Sequence, residues 1–143
     1  MSGTRSILVA DDEENDIALI AAALTRRGYT VITATDGREA VRAHARHPGK
    51  IDLLVTDIAM APMNGLELAA LLMTAQQDLK VLFVSGHVGE YVLLRRKQAI
   101  AGALFLRKPF TSDQLLGKVG EALHDDPPTR ALTAAGNSGL GVG

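Results

Sequence analysis

At 143 residues the chain has the length of one domain, and 47% hydrophobic residues can fill a core without disulfides or a structural metal. The absence of cysteine excludes a disulfide framework and thiolate metal sites. A net charge of −1, no tryptophan and 3% aromatic residues argue against nucleic acid as the partner. No apolar stretch approaches the roughly 18–20 residues of a membrane span. Residues 1–6 lack the apolar core of a signal peptide, so a cytoplasmic location is expected.

Apolar runs of strand length alternate with segments of helical periodicity. The first run, Ile7-Leu8-Val9-Ala10, predicts a strand over 6–10 and ends on Asp11 and Asp12. Leu19, Ile20, Ala23 and Leu24 then recur at helical spacing, and Arg27-Gly28 is a stop signal. A strand at 30–34 leads to Asp36, a good N-cap for a helix over 37–47 that halts before Pro48-Gly49. The run 51–56 is closed by Asp57 and followed by a loop holding Pro62 and Gly65. A third helix starts near Asn64 and carries Leu66, Leu68, Ala69, Leu71 and Leu72. Strand 80–84 runs into Ser85-Gly86, a fourth helix is expected over 88–100, and strand 103–107 delivers Lys108. A fifth helix begins at Thr111 or Ser112 with Leu115, Leu116, Val119, Ala122 and Leu123 on one side. Asp125-Asp126-Pro127-Pro128 stops it, and the small residues beyond predict a flexible tail. The expected organisation is an N-terminal extension over 1–5, one folded domain over 6–124 and a tail over 125–143.

Strands separated by 10–15-residue helices imply right-handed βαβ units, a parallel sheet and helices on both faces. Five such strands give an α/β, doubly wound, flavodoxin-like (βα)5 fold of strand order 2-1-3-4-5. Its switch point lies between strands 1 and 3, where Asp11, Asp12 and Asp57 end up. Three acids and Lys108 at strand ends form a site suited to a divalent cation and a phosphoryl group. Mg²⁺ prefers a few carboxylates, water and phosphate oxygens, and phosphoryl transfer asks mainly for positioning and charge neutralisation.

Each residue also has an ordinary reading. Asp11-Asp12-Glu13-Glu14 is an acidic helix start, Asp57 a turn aspartate, Lys108 a solvated lysine, Ser85-Gly86 a turn and Phe105 plain core. His44 and His47 read as solvated histidines, Arg95-Arg96-Lys97 as a solvated face, and His124 suits a helix C-terminus. Only the joint placement at strand ends favours chemistry.

Four segments carry a resemblance: Ile7-Leu8-Val9-Ala10-Asp11-Asp12-Glu13; Leu54-Val55-Thr56-Asp57-Ile58 with Met63-Asn64-Gly65; Val84-Ser85-Gly86; and Phe105-Leu106-Arg107-Lys108-Pro109-Phe110. In this order they resemble the response-regulator receiver domain of bacterial two-component signalling, over about 6–124. The resemblance implies Asp57 as phosphoacceptor. It implies Mg²⁺ (or Mn²⁺) on Asp11, Asp12, Asp57 and the Ala59 backbone carbonyl, with Lys108 and Ser85 on the phosphoryl oxygens. Ser85 and Phe105 would form the switch, and the Lys108-Pro109 peptide bond would be cis. Ala59 and His87 occupy positions that tune dephosphorylation in the family. One departure is that Ala61 stands where the family has proline, which comes one residue later at Pro62.

The implied partner is a sensor histidine kinase or histidine phosphotransfer protein, with an unidentified downstream protein target. The implied output surface is the helix 4–strand 5–helix 5 face, which in this family also serves homodimers. The expectation is a single-domain regulator, a phosphoacceptor and not a turnover enzyme. The alternatives are a receiver-like docking module and the receiver portion of a hybrid histidine kinase. A phosphatase resembling the haloacid dehalogenases would need an acid two residues after Asp57, where this chain has Ala59.

Overall fold

The computed structural model describes residues 4–86 and 102–124. The helix expected over 88–100, His87, the Arg95-Arg96-Lys97 cluster and the tail lie outside the described residues. Within them the order is β1 (Ser6–Ala10), α1 (Glu14–Arg26), β2 (Thr30–Ala34), α2 (Gly37–Arg46), β3 (Leu53–Asp57), α3 (Gly65–Ala75), β4 (Lys80–Ser85), β5 (Leu104–Arg107) and α4 (Ser112–Leu123). The helix α4 is the fifth of the helices expected from the sequence.

All neighbouring strands pair parallel in one sheet of order β2-β1-β3-β4-β5, as the alternation of elements implied. The continuous apolar runs follow from burial on both faces, and every residue of β3 is buried. Successive side chains point to opposite faces of a strand, which divides the core in two. Leu8, Leu54, Val81 and Phe83 pack with α2 and α3 through Ala40, Ala43, Leu68, Ala69 and Leu72. Ile7, Val9, Val55, Leu82 and Val84 pack with α1 and α4 through Ile20, Leu24, Leu115, Val119 and Leu123. Each fully buried leucine or isoleucine contributes on the order of 1.5–3 kcal/mol.

Local signals place the helix starts. The Asp36 side chain accepts from the Glu39 N–H at 2.8 Å. Asn64 with Glu67, and Thr111 with Gln114, form reciprocal capping boxes. Leu19, 70% exposed, and Leu71, 46% exposed, lie in the helices expected for them but face outward. One expectation needs correction: His44 is not a solvated histidine, because its Nε2 lies 3.0 Å from Gln76 Oε1 at the end of α3. Gln76 also donates to the Ile51 carbonyl at 2.6 Å, clasping α3 to the approach to β3.

Candidate functional site

The carboxyl ends of β1 and β3 lie side by side at the centre of the sheet, with Ala10 paired to Thr56. Asp11 follows β1 and is fully buried, Asp12 beside it is exposed, and Asp57 ends β3 at 7% exposure. One carboxylate oxygen from each of the three lies within 4.8 Å of the others. Asp11 Oδ1 accepts from the Glu13 N–H at 2.9 Å, which fixes it at the entry to α1.

The β3–α3 loop is shaped around Asp57. The Ile58 carbonyl accepts from the Gly65 N–H at 2.9 Å, and Thr56 Oγ1 donates to the Asp57 carbonyl at 2.9 Å. A Cβ at residue 65 would collide with that same carbonyl, so only glycine lets the loop return this closely. Met63 packs against Gly37 at the start of α2, where an added Cβ would sit 2.8 Å from the Met63 sulfur. Met63, Asn64 and Gly65 therefore anchor, cap and close the loop in turn. Ala59 lies in this loop, exposed, and the Ala61-Pro62 peptide bond is cis. The displaced proline leaves Asp12 and Asp57 together.

The opposite wall comes from β4 and β5. Ser85, wholly buried, ends β4 one residue beyond Val84, the register partner of Asp57. Phe105 is paired with Phe83 in register and half-buried against the core. The Ser85 carbonyl accepts from the Lys108 N–H at 2.8 Å, which ties the end of β5 to β4. The Lys108-Pro109 peptide bond is cis.

Lys108 reaches across the sheet edge. Its Nζ donates to Asp11 Oδ2 at 3.0 Å and to Asp16 Oδ2 at 2.8 Å, and lies 3.8 Å from Asp57 Oδ2. The structure thus gathers Asp11, Asp12, Asp57 and Lys108, with Ser85 on the adjoining strand end. It adds Asp16, which sequence reasoning missed. The available signal was an acid in the first turn of the helix that leaves the acidic edge.

The electrostatics are those of a site short of positive charge. Burial pushes the Asp11 carboxyl above its usual range, and the Glu13 N–H and Lys108 only partly offset this. Burial would also lower the Lys108 pKa, but hydrogen bonds to Asp16 and Asp11 and the charge of Asp57 outweigh it, leaving the ammonium firmly protonated. Among the described residues, Lys108 is set against Asp11, Asp16 and Asp57, with Asp12 beside them. A hard divalent cation among three oxygen donors relieves the remaining repulsion, so the donor set fits Mg²⁺.

The model of the response regulator receiver domain family matches residues 7–120. The chain belongs to this family.

The receiver is 37% identical over 123 residues to sensor kinase CckA of Brucella abortus, covering 86% of this chain and 13% of the kinase. It is 35% identical over 135 residues to transcriptional regulatory protein TcrA of Mycobacterium tuberculosis, covering 93% of this chain and 51% of the regulator. It therefore spans about half or less of the length of these relatives. Among solved structures, response regulator TrrA of Thermotoga maritima, in complex with Mg²⁺–BeF, superposes with a TM-score of 0.72 at 30% identity. That match covers 84% of this chain and 100% of TrrA. Receivers are signalling modules of two-component systems, not turnover enzymes in general, and they bind Mg²⁺ at an acidic pocket. Among the described residues, no helix is long and apolar enough to cross a membrane.

Proposed function

We propose that this receiver takes a phosphoryl group on Asp57 from a phosphohistidine of a sensor kinase or histidine phosphotransfer protein. The observation that carries the reading is the meeting of Asp57 with Asp11, Asp12 and Lys108 at one sheet edge. A carboxylate oxygen of Asp57 attacks phosphorus, the O–P bond forms and the N–P bond of the donor breaks. The electron pair returns to the imidazole nitrogen, which takes a proton from solvent. Bound on Asp11, Asp12, Asp57 and the Ala59 carbonyl, Mg²⁺ would neutralise the oxygens of the transferring group. Lys108 would do the same from the other side and the Ser85 hydroxyl would donate to one oxygen. TrrA in complex with Mg²⁺–BeF is a related receiver and supports this assignment.

The donor has a place to approach. A groove of about 450 Å³ opens beside Lys108, lined by Leu19, Ile20, Pro109, Phe110 and Leu115 among others. The exposed Leu19 suits an apolar partner surface there.

A phosphoryl group brings up to about two negative charges. Drawing Ser85 toward it would shift the end of β4 and let Phe105 turn inward. That changes the surface built from the expected fourth helix, β5 and α4, and so the affinity for a downstream protein or a second copy. The shift can be no larger than the differential interaction of the phosphoryl group with the two states.

The test is incubation with phosphoramidate and Mg²⁺ followed by intact mass. The expected result is a gain of one phosphoryl group that is lost in Asp57→Ala and on chelation. No gain in the unaltered chain refutes phosphoacceptance and favours a docking module. The resemblance to a segment of a sensor kinase favours a second reading, the receiver portion of a hybrid kinase. Phosphotransfer from candidate kinases, compared for rate, separates that from a freestanding regulator.

A further inference from the structure

The proposed transfer requires Lys108 to reach phosphoryl oxygens on Asp57. In the structure its ammonium is 3.8 Å from Asp57 but 2.8 Å from Asp16, its shortest carboxylate contact. Charge-assisted N–H···O⁻ bonds span about 2.7–2.9 Å, so the ammonium is hydrogen-bonded to Asp16 and only ion-paired with Asp57. Asp16 lies outside the three-acid cation cluster. A cation would draw on the charge of Asp11 and leave Asp16 as the acid that still competes for the lysine.

Asp16 is well placed for this. It sits in the first turn of α1, with its side chain 34% exposed against 20% for Lys108. It also lines the groove through which a donor would approach. We infer that Asp16 is a positioning residue that holds Lys108 in reserve, competes with the phosphoryl group for its ammonium and thereby slows phosphorylation of Asp57. The inference rests on Asp57 being the phosphoacceptor.

The test compares the initial rate of phosphorylation by phosphoramidate with Mg²⁺ in the full chain and in Asp16→Asn and Asp16→Glu, with thermal unfolding as a check on folding. The isosteric Asp16→Asn removes the competing charge and raises the rate about three- to fivefold, the range open to a partly exposed ion pair. Asp16→Glu keeps the charge and brings the rate back toward that of the unaltered chain. Damage to the fold lowers a rate, so a gain does not report on stability. An Asp16→Asn rate that is unchanged or lower overturns the inference, as does an Asp16→Glu rate as fast as that of Asp16→Asn. If the unaltered chain takes up no phosphoryl group at all, the functional reading fails and this inference falls with it.

Discussion

The Cα of Gly65 lies so close to the backbone carbonyl of Asp57 that no side chain fits between them. The residue that ends β3 and the first residue of α3 are thus held in contact. The acid at the sheet edge takes its position from the loop that follows it as much as from its own strand. Substituting Gly65→Ala forces backbone apart from backbone. The expected cost is about 1–3 kcal/mol, as for other overpacked sites, read as a lower midpoint in urea with an unchanged slope. Phosphoryl uptake from phosphoramidate should fall further than the loss of folded protein explains. A variant as stable and as readily phosphorylated as the unaltered chain refutes the close-approach argument.

Among the described residues, Lys108 is the cation that Asp11, Asp16 and Asp57 share. Lys108→Ala takes the ion-pair partner from buried Asp11 and leaves it the Glu13 N–H. The expected loss without metal is about 3 kcal/mol, at the low end for a broken buried pair. Mg²⁺ should then raise the melting temperature of the variant more than that of the unaltered chain. Equal shifts in the two proteins would mean that the lysine and the metal do not relieve the same repulsion.

The pH dependence follows from Asp11. Its carboxyl is raised above 3.8, chiefly by burial, so the folded chain holds that proton more tightly than the unfolded chain. Ionised Asp11 therefore costs stability at neutral pH, and the cost is relieved as pH falls through its folded value. Lys108 is raised above 10.5, so its contribution is complete below 10.5 and does not vary between pH 5 and 8. Stabilisation by Mg²⁺ should accordingly weaken as pH falls from neutrality through the folded value of Asp11, where protons compete for the carboxylate. Melting curves with and without Mg²⁺ check this, and a shift independent of pH contradicts it.

Far from the site, Gln76 meets both backbone groups of Ile51, at 2.6 Å to its carbonyl and 3.3 Å from its N–H, as well as His44. Gln76→Ala strips these partners from the entry to β3. A loss of about 1–3 kcal/mol is expected for the groups left unsatisfied, with the rate of phosphoryl uptake by the remaining folded protein unchanged. A neutral effect on urea unfolding would show that water replaces the side chain.

The sheet and the outline of the site were legible in the chain itself. A parallel strand buried on both faces must be apolar throughout, so Ile7 to Ala10 and Leu53 to Val55 stand out as runs. Each of Asp11, Asp57 and Lys108 marks where such a run stops. Asp36, Asn64 and Thr111 announced helix starts because capping is a local bond between residues three apart.

Other features were decided only by packing. Periodicity shows that α1 has an apolar side but not how wide a strip its neighbours cover, so Leu19 lies open while Ile20 is sealed. The pairing of Lys108 with Asp16 joins residues 92 positions apart. No spacing encodes it, because a flexible lysine among four carboxylates settles by distances that exist only once β1, β3, β5 and α1 share one sheet edge. Local composition sets which groups reach that edge; the assembled geometry sets which of them the lysine holds.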